Sequence, residues 1–176
     1  MAYLRDKSVY LCGPLHACAD DGIGWREQVA PKLTQYGLDV LDPTKITANG
    51  CGEVGDDKAK FKQLIKEEKF LEAKRALWPV VRRDLRMVDK ADFLILNYAP
   101  LIPTIGTWNE VVVASMQKKP ILLKYDRSEL AHFNIWVLSL IKSHCIFSEW
   151  GDLFDYLDKI DQAVNPEDFD TSYWTL

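Results

Sequence analysis

Carboxylate side chains near the ends of predicted strands are the residues of this chain best suited to chemistry. Glu110 follows a stretch, residues 92–100, that contains an apolar run of strand length and ends at a proline. In an α/β sheet, ligands bind at the carboxyl ends of the strands, where the next helix begins. A glutamate ionised by the positive end of that helix could attack an electrophilic sugar carbon, as retaining glycosidases do. The plainer alternative is a first-turn glutamate that only complements the helix dipole, and spacing alone leaves both open.

A second carboxylate, Asp84, falls on the apolar stripe of a helix predicted over residues 78–90. Val81, Leu85 and Val88 are spaced four and three apart and form that stripe. A carboxylate that faces the sheet costs free energy unless it is bonded. Asp84 is therefore either a structural cap for a loop amide or a residue of the site.

Five short apolar runs alternate with helical patterns and predict a doubly wound, parallel α/β sheet. The predicted strands are residues 8–12, 38–41, 92–100, 121–125 and 144–147, and the predicted helices are 25–36, 58–75, 78–90, 107–117, 128–142 and 151–164. The simplest strand order is 2-1-3-4-5, in which the loops after the first and third strands flank one crevice. That order brings residues 10–21 close to residues 104–110.

Length and composition predict one globular domain over residues 1–176, with 48% apolar and 27% charged residues. Residues 44–75 read as a loop-plus-helix insertion that covers a pocket or packs on a partner, and residues 165–176 form an acidic, aromatic tail. The net charge of −4 and the lack of long basic runs argue against a polymeric nucleic acid as partner. We expect no membrane span and a cytosolic location, because no apolar run is long enough for a signal peptide or a spanning helix.

Motifs for cofactors and metals are missing from the crevice sequence. The turn at Gly13 lacks the G-x-G-x-x-G spacing, and neither a Walker loop nor a G-x-S-x-G elbow occurs. The histidines and cysteines are too scattered for a metal site, so we expect no cofactor and no metal. The crevice offers instead Tyr10, the loop acids Asp20 and Asp21, and the amides of residues 106–109. For His16, in the same loop, substrate contact and plain exposure both remain open.

Three short motifs follow one another between residues 8 and 124. They are Val9–Pro14; Asp84 with Val88, Ala91 and Asp92; and Pro103–Glu110 with Ala114 and Lys119–Ile121. In this order they resemble the nucleoside 2-deoxyribosyltransferase family, which also includes the 2′-deoxynucleoside 5′-monophosphate N-glycosidases. The resemblance implies a flavodoxin-like sheet and cleavage of the N-glycosidic bond of a 2′-deoxynucleoside through a covalent deoxyribosyl-glutamate.

By position, the resemblance makes Glu110 the nucleophile, Tyr10 the tyrosine whose hydroxyl holds that carboxylate, and Asp84 the aspartate near sugar and base. The expected substrate contacts are Gly13, His16, Asp21, Thr104, Gly106, Thr107 and Asn109. The implied partners are a nucleoside or nucleotide and a free nucleobase. The family also implies a homodimer or higher homo-oligomer in which a neighbour's C-terminal segment closes the site, and the aromatic residues 169–174 suit such a contact.

Two positions depart from the family pattern and bear on the substrate. At Thr104, transferases that act on free nucleosides often carry an aspartate, whereas the monophosphate glycosidases carry a serine that binds phosphate. Val112 replaces the usual glycine two residues after Glu110, so packing near the site must differ. The expected reaction is deoxyribosyl transfer to another nucleobase. The alternatives are hydrolysis of a 2′-deoxynucleoside 5′-monophosphate and nucleotide sensing without turnover.

Overall fold

The structure is a computed structural model that describes residues 2–15, 18–45, 56–162 and 174. Five parallel strands form one sheet: β1 (Ser8–Cys12), β2 (Asp39–Leu41), β3 (Phe93–Tyr98), β4 (Ile121–Tyr125) and β5 (Ile146–Phe147). Their order is β2-β1-β3-β4-β5. The predicted doubly wound α/β fold with the order 2-1-3-4-5 is therefore confirmed.

The central strands read as continuous apolar runs because helices cover both faces of the sheet. Residues of β3 from Phe93 to Leu96 are fully buried, and β1 is buried along its whole length. The register aligns Cys12 with Leu96, so β1 and β3 end side by side. This alignment forms the predicted crevice beyond their carboxyl ends.

The described residues form five α-helices: α1 (Ile23–Gln35), α2 (Asp56–Lys66), α3 (Phe70–Lys90), α4 (Ile105–Met116) and α5 (Trp150–Asp161). The Asp20 carboxylate accepts hydrogen bonds from the amides of Gly22 and Gly24, both at 2.9 Å, just before α1. Gly37 follows the end of α1 with a φ of 78°, the left-handed conformation that commonly ends a helix. None of the helices in the described ranges is long and apolar enough to cross a membrane.

The segment from residue 56 to residue 90 differs from its prediction. The predicted helix 58–75 is two helices, because Glu68 adopts a φ of 56° and the Lys69 amide turns back to the Leu64 carbonyl. The predicted restart at residue 78 is also wrong, since α3 continues through Pro79. Two residues of the predicted apolar stripe, Val81 and Leu85, are only half-buried. The buried residues in this part of α3 are Val80, Asp84, Met87 and Val88.

The predicted helix 128–142 is wrong. The segment forms two 3-10 turns, Arg127–His132 and Ile135–Ser139. The side chains of Asp126 and Asn134 accept the amides of Ser128 and Trp136 at 2.8 and 3.0 Å, and each starts a new turn. Capping by these two side chains therefore sets the local backbone conformation here, although the apolar residues recur with the period of an α-helix. The fifth strand is also shorter than predicted, because His144 and Cys145 belong to a preceding 3-10 turn.

Trp174 packs on its own chain. Its indole lies 5.2 Å from the Phe93 ring, its Nε1 donates to the Tyr156 hydroxyl at 2.9 Å, and its side chain is almost fully buried. Its carbonyl accepts a hydrogen bond from the Tyr3 hydroxyl. Trp174 is thus a core residue here rather than the intersubunit contact that the sequence suggested. The other aromatic residues of that tail lie outside the described residues.

Candidate active site

Tyr10, Cys12 and Glu110 meet at the floor of the crevice. Side chains two residues apart on a strand point to the same face, so Tyr10 and Cys12 both face α4. The Tyr10 hydroxyl donates to Glu110 Oε1 at 3.0 Å, and the Cys12 thiol donates to Glu110 Oε2 at 3.2 Å. Each carboxylate oxygen of Glu110 thus has its own donor from β1.

Burial controls the protonation of this cluster. Removal from water and, after it, the nearby Asp84 carboxylate raise the pKa of Glu110 to about 7, although the hydrogen bonds from Cys12 and Tyr10 act to lower it. Burial also raises the pKa of Tyr10 and of Cys12 well above their usual values. Both therefore keep their protons near neutral pH and serve as donors, while Glu110 titrates.

The predicted effect of the helix dipole on Glu110 is wrong. Helix α4 begins at Ile105, so Glu110 is its sixth residue and lies beyond the first turn. The Trp108 amide already bonds to the Thr104 carbonyl at 3.2 Å, which leaves the free amides to the residues before it. The positive helix end therefore lies too far along the chain to keep Glu110 ionised, and burial dominates.

Asp84 lies on the buried face of α3 with only 5% of its surface exposed. Its Oδ1 accepts from Arg83 Nε at 2.7 Å and pairs with Arg83 Nη2 at 2.6 Å. It is near enough to raise the pKa of both Tyr10 and Glu110. Asp84, paired with Arg83, thus places a second carboxylate near Glu110, the carboxylate that titrates.

Arg26 is a residue of the site that sequence reasoning missed. It is fully buried, and its guanidinium donates to three carbonyls that frame the first crevice loop: Leu11 at 3.2 Å, Gly13 at 3.1 Å and Gly22 at 2.7 Å. The guanidinium also lies 4.5 Å from the centre of the Trp25 ring. Arg26 thus ties the end of β1 to the start of α1. The signal was present, since Arg26 follows the i, i+3, i+7 spacing of the buried stripe with Val29 and Leu33.

Two glycines let the loop pack this closely. A Cβ on Gly13 would lie 3.1 Å from the Trp25 ring and 3.2 Å from the Asn97 carbonyl. A Cβ on Gly22, whose φ is 69°, would lie 2.3 Å from the Pro14 carbonyl and 2.7 Å from Arg26 Nη1. Because Gly13 has no side chain, the backbone that follows β1 can approach β3 closely at the crevice.

The remaining predicted site residues divide by position. Thr107 is buried, and its carbonyl lies 3.8 Å from Cys12 Sγ, whereas Gly106 and Asn109 are exposed on the first turns of α4. Thr104 is half-buried at the N-cap position of α4. The Asp21 carboxylate forms an ion pair with Lys58 of α2, which joins the crevice loop to the predicted insertion.

His16 lies outside the described residues. Within the described ranges, no group of three or more histidine, cysteine, aspartate or glutamate side chains is arranged to hold a metal ion.

Solved structures with a similar fold include those of two bacterial enzymes and of one protein described only as conserved. A 2-deoxyribosyltransferase from Bacillus psychrosaccharolyticus is 17% identical, with a TM-score of 0.58 over 85% of this chain and 95% of that chain. The conserved protein, from Enterococcus faecalis, is 18% identical, with a TM-score of 0.52 over 89% and 98%. A CMP N-glycosidase from Clostridium botulinum is 18% identical, with a TM-score of 0.48 over 88% and 98%. At these identities the likeness shows the fold alone.

Sequence comparison identifies the family. No curated protein matches the chain. The sequence model of the nucleoside 2-deoxyribosyltransferases matches residues 9–155, which include both crevice loops and all of α3 and α4. The chain therefore belongs to the nucleoside 2-deoxyribosyltransferase family.

Proposed function

We propose that the protein transfers a 2-deoxyribosyl group between nucleobases through a covalent bond to Glu110. The observation that supports this most is the carboxylate of Glu110, half-buried at the floor of the crevice with one donor on each oxygen. A carboxylate held in this way has a fixed orientation, and its nucleophilicity is not lost to bulk water. Family membership supports the same reaction, because it supplies a substrate class with an electrophilic C1′ carbon.

In the first step, a Glu110 oxygen attacks C1′ of a bound 2′-deoxynucleoside. The C1′–N bond breaks as the O–C1′ bond forms, and the departing base keeps the electron pair and takes up a proton. The Tyr10 hydroxyl donates to the carboxylate and keeps it oriented toward C1′ while its negative charge decreases in the forming ester. Asp84, held by Arg83, adds negative charge near the sugar, which favours an oxocarbenium-like transition state.

In the second step, a nitrogen of another nucleobase attacks C1′ of the deoxyribosyl-enzyme from the face that the first base left. The ester bond breaks, Glu110 leaves as a carboxylate, and the incoming base loses one proton. Two inversions at C1′ give net retention of configuration. The proton that the first base gains and the one that the second base loses balance, so one turnover leaves the enzyme unchanged.

Hydrolysis of a 2′-deoxynucleoside 5′-monophosphate is a second candidate, which Thr104 favours. Thr104 stands at the N-cap of α4, yet within the described part of the chain its hydroxyl makes no capping hydrogen bond. The free amides of the first turn of α4 point out of the start of the helix, where they can bind an anion. A hydroxyl beside free amides could bind a 5′-phosphate, with water in place of the second base.

Product analysis separates these reactions. The protein is incubated with one 2′-deoxynucleoside and a different free base, and in parallel with the matching 5′-monophosphate. Transfer predicts a new deoxynucleoside, whereas hydrolysis predicts free base and deoxyribose 5-phosphate from the monophosphate alone. Replacement of Glu110 by Gln should lower kcat about a thousandfold or more in either case.

Glu27 is an exposed glutamate on α1. The variant Glu27→Gln serves as the control and should leave kcat unchanged. Turnover by Glu110→Gln near the wild-type rate would exclude the nucleophile. A nucleotide-sensing module without turnover, the third reading, predicts ligand binding with no product from either substrate.

We also propose that two or more copies of the chain assemble. Helix α4 exposes Ile105 at 89% and Met116 at 79%, with Val112 between them on the same face. Apolar side chains in such a row are a common mark of a protein interface. Light scattering after gel filtration should give at least twice the chain mass of 20.2 kDa. Met116→Lys should reduce that mass if this face forms the interface.

A further inference from the structure

The side chain of Cys12 takes part in none of the bond-making or bond-breaking steps of the proposed reaction. It is fully buried at the end of β1, and its Sγ lies 3.2 Å from Glu110 Oε2 and 3.8 Å from the Thr107 carbonyl. A thiol has one proton to donate. The carboxylate oxygen is both the nearer and the more strongly charged acceptor, so the proton points to Glu110.

We propose that Cys12 is a positioning residue that holds Oε2 of Glu110 while Tyr10 holds Oε1. The inference rests on the proposed role of Glu110 as nucleophile. Rotation about the last side-chain bond of a glutamate is broad and roughly two-fold, so one hydrogen bond leaves the carboxylate plane free to turn. Two donors from the same face of β1, one on each oxygen, fix that plane.

The thiol also shapes the charge of the carboxylate. The groups that act on Glu110 are Tyr10 and Cys12 from β1, Asp84 from α3 and Arg26 from α1. Burial and Asp84 favour the protonated form, whereas the two donors and Arg26 favour the ionised form. If a substitution removes the thiol donor, burial and Asp84 still favour the protonated form, so the pKa of Glu110 should rise.

A plain core role for Cys12 makes a different prediction. An apolar residue of similar size would then serve equally well, and substitution would change stability without moving the titration of Glu110. Cys12→Ala and Cys12→Val remove the donor, with less and more volume than the thiol, whereas Cys12→Ser keeps a donor. Because the two donor-free variants differ in volume, one of them can test the inference even if the other fails to fold.

The experiment measures two quantities on the full chain: the pH profile of kcat/KM, and the titration of the Glu110 carboxyl followed by carbon-13 NMR. We expect Ala and Val at position 12 to move both midpoints upward by about half a pH unit or more, about a threefold change in the ionised fraction. Cys12→Ser should return both midpoints toward wild type. Cys145→Ala removes a second fully buried cysteine, outside the crevice, and should move neither.

The NMR titration needs no turnover, so it separates this inference from the proposed function. If Ala, Val and Ser at position 12 all titrate like wild type, Cys12 does not position Glu110, whatever the enzyme does. If the midpoints move as expected but Glu110→Gln retains its activity, the hydrogen bond stands and the nucleophile assignment is wrong.

Discussion

The hydroxyl of Tyr10 lies 3.0 Å from Oε1 of Glu110, although 100 residues separate the two in the chain. Parallel pairing of β1 with β3 creates this contact, because the helix that follows β3 then packs across the end of β1. The contact joins a phenol that keeps its proton to a carboxyl group with a pKa of about 7. The protonation of Glu110 near neutral pH therefore depends on burial and on contacts with Asp84, Cys12 and Tyr10 rather than on the distant helix start.

Tyr10→Phe should weaken turnover most at low pH. Without the phenol, the pKa of Glu110 rises above 7, and the fraction of ionised carboxylate at pH 6 falls. We expect the acid limb of kcat/KM to move upward by about one pH unit, the effect of one hydrogen bond to a charged group. Pre-steady-state and steady-state rates between pH 5 and pH 9 measure this shift.

Tyr36→Phe is the matched control, because Tyr36 also bonds a carboxylate, that of Asp158 at 2.5 Å, between α1 and α5 rather than in the crevice. It should leave the pH profile in place. An equal loss of activity by Tyr10→Phe at every pH would contradict a role in the protonation of Glu110.

The fold could be predicted because its signals are local and repeat. Buried parallel strands need continuous apolar runs, and strand, helix, strand units allow one handedness, so few arrangements remain. The segments whose predictions were wrong have conformations that single side chains determine. Asn134 caps a new turn inside a helical pattern, and Pro79 remains inside α3 because the buried face continues on both sides of it.

The site was predictable only in part for a similar reason. Resemblance pointed to Tyr10, Asp84 and Glu110, and strand pairing brings the first and third together. Arg26 escaped notice because charged residues are rarely fully buried, and because most of its partners are carbonyls, which leave no trace in the sequence. The role of Cys12 could not be predicted, since spacing cannot show that a carboxylate lies 3.2 Å from its thiol.

Glu110→Gln should stabilise the folded protein at alkaline pH. The pKa of Glu110 is about 7 when folded and near 4.5 when exposed, so below pH 4.5 the carboxyl is protonated in both states and costs nothing. As the pH rises toward and past 7, the unfolded state releases its proton first, and the wild type loses stability. At pH 8 the difference should reach about 3 kcal/mol.

Urea denaturation of both proteins at pH 5 and pH 8 measures this effect. The advantage of Glu110→Gln should grow with pH, whereas Glu27→Gln, at an exposed site, should show no such growth. A constant difference between Glu110→Gln and wild type at the two pH values would mean that the carboxyl is not buried in solution.

Arg26→Met should destabilise the protein and loosen the crevice. The guanidinium donates to the carbonyls of Leu11, Gly13 and Gly22, and methionine removes all of these hydrogen bonds. It also leaves the buried Asp42 carboxylate without the guanidinium that lies 3.7 Å from it. We expect a loss of about 3–5 kcal/mol in the free energy of unfolding. Hydrogen exchange should speed up at the end of β1, and KM should rise more than kcat falls.

Arg82→Met, an exposed position on α3, controls for loss of a positive charge and should change stability by less than about 0.5 kcal/mol. Similar effects from the two arginine substitutions would show that Arg26 does not hold the loop.

Thr104→Val should separate the two candidate substrates. Valine keeps the shape of threonine but removes the hydroxyl that stands at the start of α4. If that hydroxyl binds a 5′-phosphate, KM for a deoxynucleoside monophosphate should rise about tenfold, the effect of one hydrogen bond to a charged group, while turnover of the free nucleoside stays the same. Steady-state kinetics on both substrates measures the ratio, and Thr104→Ser, which restores the hydroxyl, should return it to the wild-type value. Equal effects on nucleoside and nucleotide would instead show that the Thr104 hydroxyl does not bind a 5′-phosphate.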